Sequence, residues 1–412
     1  MVKATPKLPE PATRPGPTSS SREAAGQLAL LAASMVLAMT TWFAAAAVLT
    51  ELRVEFGLSR TQGSWLTISV QLGFVLGAVV SAVSNLADLV PPRRLMLTGS
   101  VIAATANLTL LLANAYPAAL AGRVLTGAGL ALVYPPALKA IATWYRHRRG
   151  FALGVMVGAL TLGSAIPHLV SATTSLPWEA TIIATSVATL VGGALAEFGA
   201  SDGPYPFRSA PFDLGRVFVV FRTRELRLAT IGYFGHMWEL YAMWSWFGVF
   251  MRDVLDDRGY ENAASLASLA TFVVIAAGAA GSWLGGLMSD RFGRETAAGS
   301  ALALSGFVAL FIGFLVTAPP VVIVGLGVFW GFWVVADSAQ FSTIVAEEAD
   351  ETSVGTALTT QLASGFVLTV FTIFLVPVIE QVHGWGWAFM LLAPGPVVGM
   401  VAMARLRRIR SV

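Results

Sequence analysis

The chain has 412 residues, of which 56% are apolar and only 12% charged; its formal net charge is +3 and it contains no cysteine. So little charge cannot cover a water-soluble globule of this length, so lipid is the expected solvent for most of the chain. The basic residues sit in short clusters between apolar runs, which excludes nucleic acid as a partner, and the lack of cysteine excludes disulfides, thiolate catalysis and thiolate-bound metal.

Residues 1–25 open with five prolines, serines and scattered charges, a composition that cannot bury enough apolar surface to fold alone. They read as a disordered cytoplasmic tail. A first apolar run, Leu28–Leu49, is too long for a signal-peptide core and reads as an uncleaved span. Further runs follow at Trp65–Val83, Leu95–Ala113, Ala118–Thr143, Phe151–Ala172 and Thr181–Phe198, each long enough for the roughly 20 residues a spanning helix needs. Residues 26–198 thus form a first six-helix bundle. Residues 199–226 turn polar, with Asp202, Arg208, Asp213, Arg216, Arg222 and Arg224 around an amphipathic stretch at Leu214–Phe221, and read as a cytoplasmic linker. Residues 227–412 repeat the pattern with Leu228–Met251, Ser265–Met288, Ala297–Thr317, Val321–Val345, Val354–Val378 and Trp387–Ala404. The expected fold is an all-α membrane protein of twelve transmembrane helices in two pseudo-symmetric bundles. Lysine and arginine concentrate in alternate loops, which predicts that both termini are cytoplasmic in a multi-pass protein of the inner (plasma) membrane.

The loop after the second span carries Asp88, Arg93 and Arg94; the loop after the eighth carries Gly286, Asp290, Arg291, Gly293 and Arg294. An acid at a helix end followed by arginines suits a charged latch between neighbouring helices, and its recurrence one half later marks an internal repeat. These residues are the expected gating loops. Arg123-Val-Leu-Thr-Gly127-Ala-Gly129 in the fourth span adds a third motif. With these motifs the chain resembles the major facilitator superfamily, whose loop signature is approximately Gly-x-Leu-Ala-Asp-Arg-x-Gly-Arg-Arg. The second loop matches it well; the first departs at Ser84, Leu89, Pro91 and Pro92. The wording of residues 232–241 is loosely similar to a bacterial branch grouped with nitrate/nitrite-type carriers. Gly163-Ser-Ala-Ile-Pro167-His168 lacks the Gly-Pro-x-x-Gly-Gly of many proton/drug antiporters. The resemblance implies a secondary transporter that works by alternating access, functional as a monomer.

Ionisable side chains inside spans are costly in hydrocarbon and mark pathways or partners. His236 and Glu239 lie three residues apart on one face of the seventh span, so they are expected to meet each other or share a proton. The alternative is a glutamate that only stitches helices through Trp or Tyr. Arg123 is a candidate ligand for an anionic solute or a partner for a nearby acid, against a structural hydrogen-bonding role. Asp337 in the tenth span is a second buried acid, either part of a relay or a gate residue, and His168 sits by Pro167 near the outer mouth. Trp42 in the first span and Tyr241 and Trp244 in the seventh are positions related by the repeat, and stand as candidate ring contacts for solute against simple packing. No His-Glu-x-x-His helix, nucleotide-binding glycine loop or nucleophile elbow occurs, so neither an enzyme nor an ATP-driven pump is expected, and no metal or cofactor. The expected function is transport of a small organic or anionic solute coupled to protons. A drug or metabolite efflux antiporter is the alternative within transport, and a non-transporting membrane sensor or assembly partner the alternative outside it.

Overall fold

The computed structural model describes residues 21–113, 115–145, 149–173, 177–205, 213–350 and 353–410. Twelve long helical segments run in chain order: α1 Ser21–Thr41, α2 Arg60–Val83, α3 Pro92–Leu112, α4 Tyr116–Ala142, α5 Gly150–Thr173, α6 Trp178–Gly199, α7 Arg224–Asp256, α8 Ala263–Phe292, α9 Arg294–Phe314, α10 Pro320–Glu348, α11 Val354–His383 and α12 Trp385–Arg410. Eleven are long and apolar enough to cross a membrane by length and composition. The other is α7. At 33 residues it spans about 50 Å, longer than a bilayer is thick, and its lower apolarity comes from the histidine, glutamate and aromatic residues on its buried faces.

Local chemistry sets the ends of these helices. Ser59 and Gln62 close a capping box at the start of α2, Thr223 caps α7, and proline occupies the first turn of α3, α4 and α10, where a missing N–H costs nothing. Gly293 and Gly384, at φ +87° and +80°, end α8 and α11 in a backbone region that favours glycine. The expected tail is shorter than 25 residues, because α1 is helical from Ser21; residues 1–20 lie outside the described residues.

Large apolar side chains lie on the outside of the molecule, and the ionisable residues of the spans lie inside it. Leu76, Val80, Leu125, Val187, Phe307, Phe311 and Phe371 are exposed on its flanks, whereas Gln71, Asn107, Arg123, His236, Glu239 and Asp337 are buried. In lipid no hydrophobic force drives helices together, so packing rests on close backbone approach through small residues. Both halves use the same device between their second and fourth helices. A Cβ on Gly73 would stand 1.9 Å from the Val124 carbonyl oxygen and one on Gly127 2.0 Å from that of Val70, joining α2 to α4. Gly281, Gly285 and Gly331 meet the carbonyls of Phe332, Ala336 and Val274 at 1.9 Å in the same sense, joining α8 to α10.

Three helices are interrupted at mid-depth. α1 tightens to a 3₁₀ turn at Met39–Thr41 and continues only as short pieces, Ala44–Ala47 and Leu49–Glu55. α4 breaks between Ala131 and Tyr134, just ahead of Pro135 and Pro136, whose rings clash with preceding carbonyls. α10 breaks at Asp337. The breaks in α4 and α10 are equivalent positions in the two halves.

The face that carries the start of α1 also carries the ends of α4, α6, α8, α10 and α12: Gln27 bonds Gly199, Thr143 bonds Tyr205, Gly150 lies beside Asp290, and Arg410 meets Glu348. It is called the terminal face below.

Candidate functional site

The middle of the molecule is closed by rings from four helices. Trp42 lies 4.8 Å from Phe74, 5.6 Å from Phe366 and 5.9 Å from Tyr241, ring centre to ring centre. Phe43 abuts Trp244 at 5.6 Å, Phe74 abuts Phe366 at 4.7 Å, and Tyr241 touches both Phe366 and Trp244. α1 and α2 meet α7 and α11 through this plug. Trp42, Tyr241 and Trp244, singled out in the sequence, are therefore brought together; Phe74 and Phe366 carried no sequence signal beyond being apolar.

Against the plug lies a cavity of about 50 Å³ lined by Tyr134, Thr161, Tyr233, His236, Tyr241, Trp244, Ser338 and Phe366 among others. Such a volume admits a few water molecules. Tyr134 and Ser338 stand at the α4 and α10 breaks, so the interruptions deliver side chains to the cavity. His236 is the one imidazole in that lining. Its Nδ1 stands 2.8 Å from Asp337 Oδ1 and its Nε2 3.2 Å from Ser338 Oγ. Nδ1 and Oδ1 lie within ion-pair distance without meeting hydrogen-bond geometry.

Glu239 does not meet His236. It is fully buried on the other side of α7, where Trp330 Nε1–H donates to Oε1 at 2.6 Å and Ser305 Oγ–H to Oε2 at 2.8 Å. Three residues of helix rotate the side chain some 60° away, enough to send it to α9 and α10 instead of the cavity. The sequence expectation of a shared proton is thus corrected: the partner of His236 is Asp337, 101 residues on.

Arg123 is also turned away from the cavity. Its Nη2 donates to the carbonyls of Thr41 at 3.1 Å and Trp42 at 2.7 Å, its Nη1 to Asn107 Oδ1 at 2.6 Å and its Nε to the Leu66 carbonyl at 3.4 Å. The interruption of α1 frees those two carbonyls, and the guanidinium fork satisfies them. Each nitrogen of the guanidinium is engaged with protein oxygens, which favours the structural hydrogen-bonding role over that of an anion ligand. His168 is 3% exposed, with an unpartnered Nε2, in a separate crevice of about 30 Å³ beside Glu51, Ser171, Arg252 and Ser268.

Opposite the terminal face, charged residues bridge the two sets of helices. Arg60 of α2 contacts Asp253 of α7 at 2.7 Å and Glu380 of α11 at 2.8 Å; Arg252 contacts Glu51 at 2.9 Å. Trp385 Nε1–H donates to Asp253 at 3.0 Å, and Gln381 to Thr61 at 3.3 Å. Burial, with Arg60 beside it, draws the nearby Arg53 guanidinium below its usual range. None of these residues was a site candidate; acids flanking Arg53 and Arg252 in sequence were the available signal.

On the terminal face the expected latch takes a different form. Arg294 forks onto Glu347 at 2.6 to 3.1 Å, Arg410 joins Glu295 and Glu348, and Arg94 approaches Glu197 at 3.8 Å. Asp290 faces the start of α5 at Gly150, beside Gly286, and Arg291 stacks over Phe292. The Nε of Arg93 is buried without a partner. The side chain of Asp88 lies outside the described residues.

An all-helical membrane protein with glycine-zipped helix pairs and a central cavity between two six-helix sets is the architecture of a carrier. The family profile described as Major Facilitator Superfamily matches residues 30–284, and the chain belongs to that family. Curated relatives are fungal. The chain is 27% identical over 263 residues, 62% of its length, to the MFS-type transporter pynF of Aspergillus niger, and 23% identical over 245 residues, 58% of its length, to the MFS-type transporter pytF of Aspergillus terreus. It is 30% identical over 110 residues, 26% of its length, to the Fujikurins efflux protein of Gibberella fujikuroi. The matches span 57%, 79% and 23% of those proteins. Among solved structures, the proton:xylose symporter XylE bound to 6-bromo-6-deoxy-D-glucose superposes with a TM-score of 0.70 at 13% identity, covering 93% of this chain and 96% of that one. XylE from E. coli in a partially occluded inward open conformation gives 0.70 at 14%, covering 93% and 98%. These relatives are fungal MFS-type transporters and not members of the nitrate/nitrite-type branch, so that likeness, and a bacterial source, gain no support.

Proposed function

We propose that the chain is a proton-coupled secondary transporter that moves a small organic solute across a plasma membrane by alternating access around the central cavity. Residues 26–198 and 227–412 act as the two moving halves, residues 199–226 as their linker, and the terminal face is cytoplasmic, where arginine concentrates. Protons load at the His236–Asp337 pair, whose imidazole borders the cavity, and Glu239 braces α7 to α9 and α10. Arg60, Arg252 and the aromatic plug hold the outer side shut while the cytoplasmic side is free to part.

The observation that carries this reading is the buried imidazole–carboxylate pair at a helix break beside the cavity. A proton there changes the charge of the pair in a low dielectric, and so changes which arrangement of helices is favoured. To test it, the protein is reconstituted in liposomes under a pH gradient and exposed to compounds that stabilise it in a thermal-shift screen. Solute-induced proton movement is expected from the unmodified protein and its loss from Asp337→Asn with solute binding retained. Equal proton movement in Asp337→Asn would sink the coupling site. A similarity to a protein named for efflux favours export as the direction; outward-directed flux that is faster than uptake at equal gradients is the corresponding result.

A further inference from the structure

The cavity is walled by chemistry of one kind. Among the described residues no lysine, arginine, aspartate or glutamate lines it, and His236 is its one imidazole. Among the described residues Arg123 is the one buried lysine or arginine, and its guanidinium nitrogens bond Thr41, Trp42, Leu66 and Asn107. The two buried acids nearby are engaged as well, Asp337 by His236 and Glu239 by Trp330 and Ser305. Apart from the His236 imidazole, a charged solute therefore finds no counter-charge in the lining, and a buried unpaired charge is expensive.

What the walls offer is ring faces and hydrogen-bond donors. Tyr241 lies 5.1 Å from Phe366 and 5.5 Å from Trp244, so the three rings pack on one another at the cavity wall. Trp244 is 1% exposed and its Nε1–H, a group that can only donate, has no partner. The hydroxyls of Tyr134, Tyr233 and Tyr241 make no hydrogen bond to another described residue, and all three side chains reach the cavity. Donors left without protein partners around a small cavity suit acceptors on the guest.

We propose, resting on the transport reading above, that the cavity selects a neutral, flat, conjugated organic molecule bearing carbonyl or ring oxygens. Its ring lies among Tyr241, Trp244 and Phe366, and its oxygens accept from Trp244 Nε1–H and from Tyr134 and Tyr233. At about 50 Å³ the closed cavity is smaller than any such molecule, so the guest enters as the halves part and takes over ring contacts that the plug makes with itself.

The test is calorimetric binding to the full chain in lipid nanodiscs. Three neutral probes, coumarin, chromone and anthraquinone, are compared with coumarin-3-carboxylate, a trimethylammonium-substituted coumarin, and naphthalene. At least one neutral oxygenated probe is expected to bind at least tenfold more tightly than the anion, the cation and the oxygen-free ring. Tyr134→Phe with Tyr233→Phe should weaken that probe about tenfold, and Trp244→Phe, which keeps an aromatic face but removes the N–H, about threefold or more, each without shifting the ligand-free unfolding temperature by more than a few degrees. Tighter or equal binding of the charged analogues, equal binding of naphthalene, unchanged affinity in the tyrosine variant, or no binding by all three neutral probes at millimolar concentration overturns the proposal. Flux in liposomes separates the two readings: a bound neutral probe that is never carried contradicts transport alone, and carriage of the carboxylate in its place contradicts the solute class alone.

Discussion

The two faces of the molecule hold their charges differently. Opposite the termini, Arg60 and Arg252 reach from one set of six helices to the other, joining α2 and the α1 extension to α7 and α11. On the terminal face the described ion pairs stay within a set: Arg94 with Glu197 in the first, Arg294 and Arg410 with Glu295, Glu347 and Glu348 in the second. The first arrangement resists separation of the halves; the second stiffens each half and leaves it free to move. Between the two sets, α5 and α8 run together from Gly150 beside Asp290 to Ser171 beside Ser268. The difference teaches that the same residue types act as lock or as brace according to which helices they join.

This contrast can be broken at several strengths. The largest loss is expected from Arg123→Met, which strands the Thr41 and Trp42 carbonyls and Asn107 just where α1 leads into the segment bearing Glu51; about 3–5 kcal/mol of stability should go, read as a fall in unfolding temperature in detergent. Next is Gly281→Ala, whose added methyl meets the Phe332 carbonyl; overpacking of about 1–3 kcal/mol should loosen the second set without altering the lock, measured by hydrogen exchange in α8 and α10. Arg60→Ala leaves Asp253 and Glu380 facing each other and should shift the balance of open and closed states by about 1–2 kcal/mol, roughly five- to thirtyfold. The chain has no native cysteine, so the labelling rate of a single Ala46→Cys in the presence and absence of Arg60→Ala reads that shift directly. A restored rate in Arg60→Asp with Asp253→Arg would show the pair itself to be responsible. The smallest effect belongs to Arg294→Ala, a partly exposed brace worth about 0.5–1 kcal/mol, with no change in Ala46→Cys labelling.

Much of the fold was legible because lipid imposes a simple rule: long apolar runs, punctuated by Pro, Gly and arginine, must become helices. The spans around Arg60–Val83 and Ala263–Phe292 follow from that rule alone. The site was legible only as a list. His236, Asp337, Tyr241, Trp42 and Trp244 stand out as polar or aromatic residues in apolar runs, and the structure brings four of them to the cavity or its plug, with Asp337 behind His236. Pairing was not legible. Helical period places Glu239 near His236, yet 60° of rotation sends one to Trp330 and the other to Asp337, and nothing local reports which neighbour waits there. Arg123 misled for a similar reason: its acceptors are carbonyls released by a break in α1, some 80 residues earlier, and a break of that kind at Met39–Trp42 has no proline to announce it.

Alternating access is tested most directly by distances measured at both faces of one protein in lipid. Spin labels on Thr61→Cys with Gln381→Cys report the locked face, and on Ala142→Cys with Ser342→Cys the terminal face. Moving from pH 8 to pH 5.5, or adding Arg60→Ala, should lengthen one distance distribution as the other shortens. Distances that stay fixed at both faces, or that lengthen together, would contradict the account.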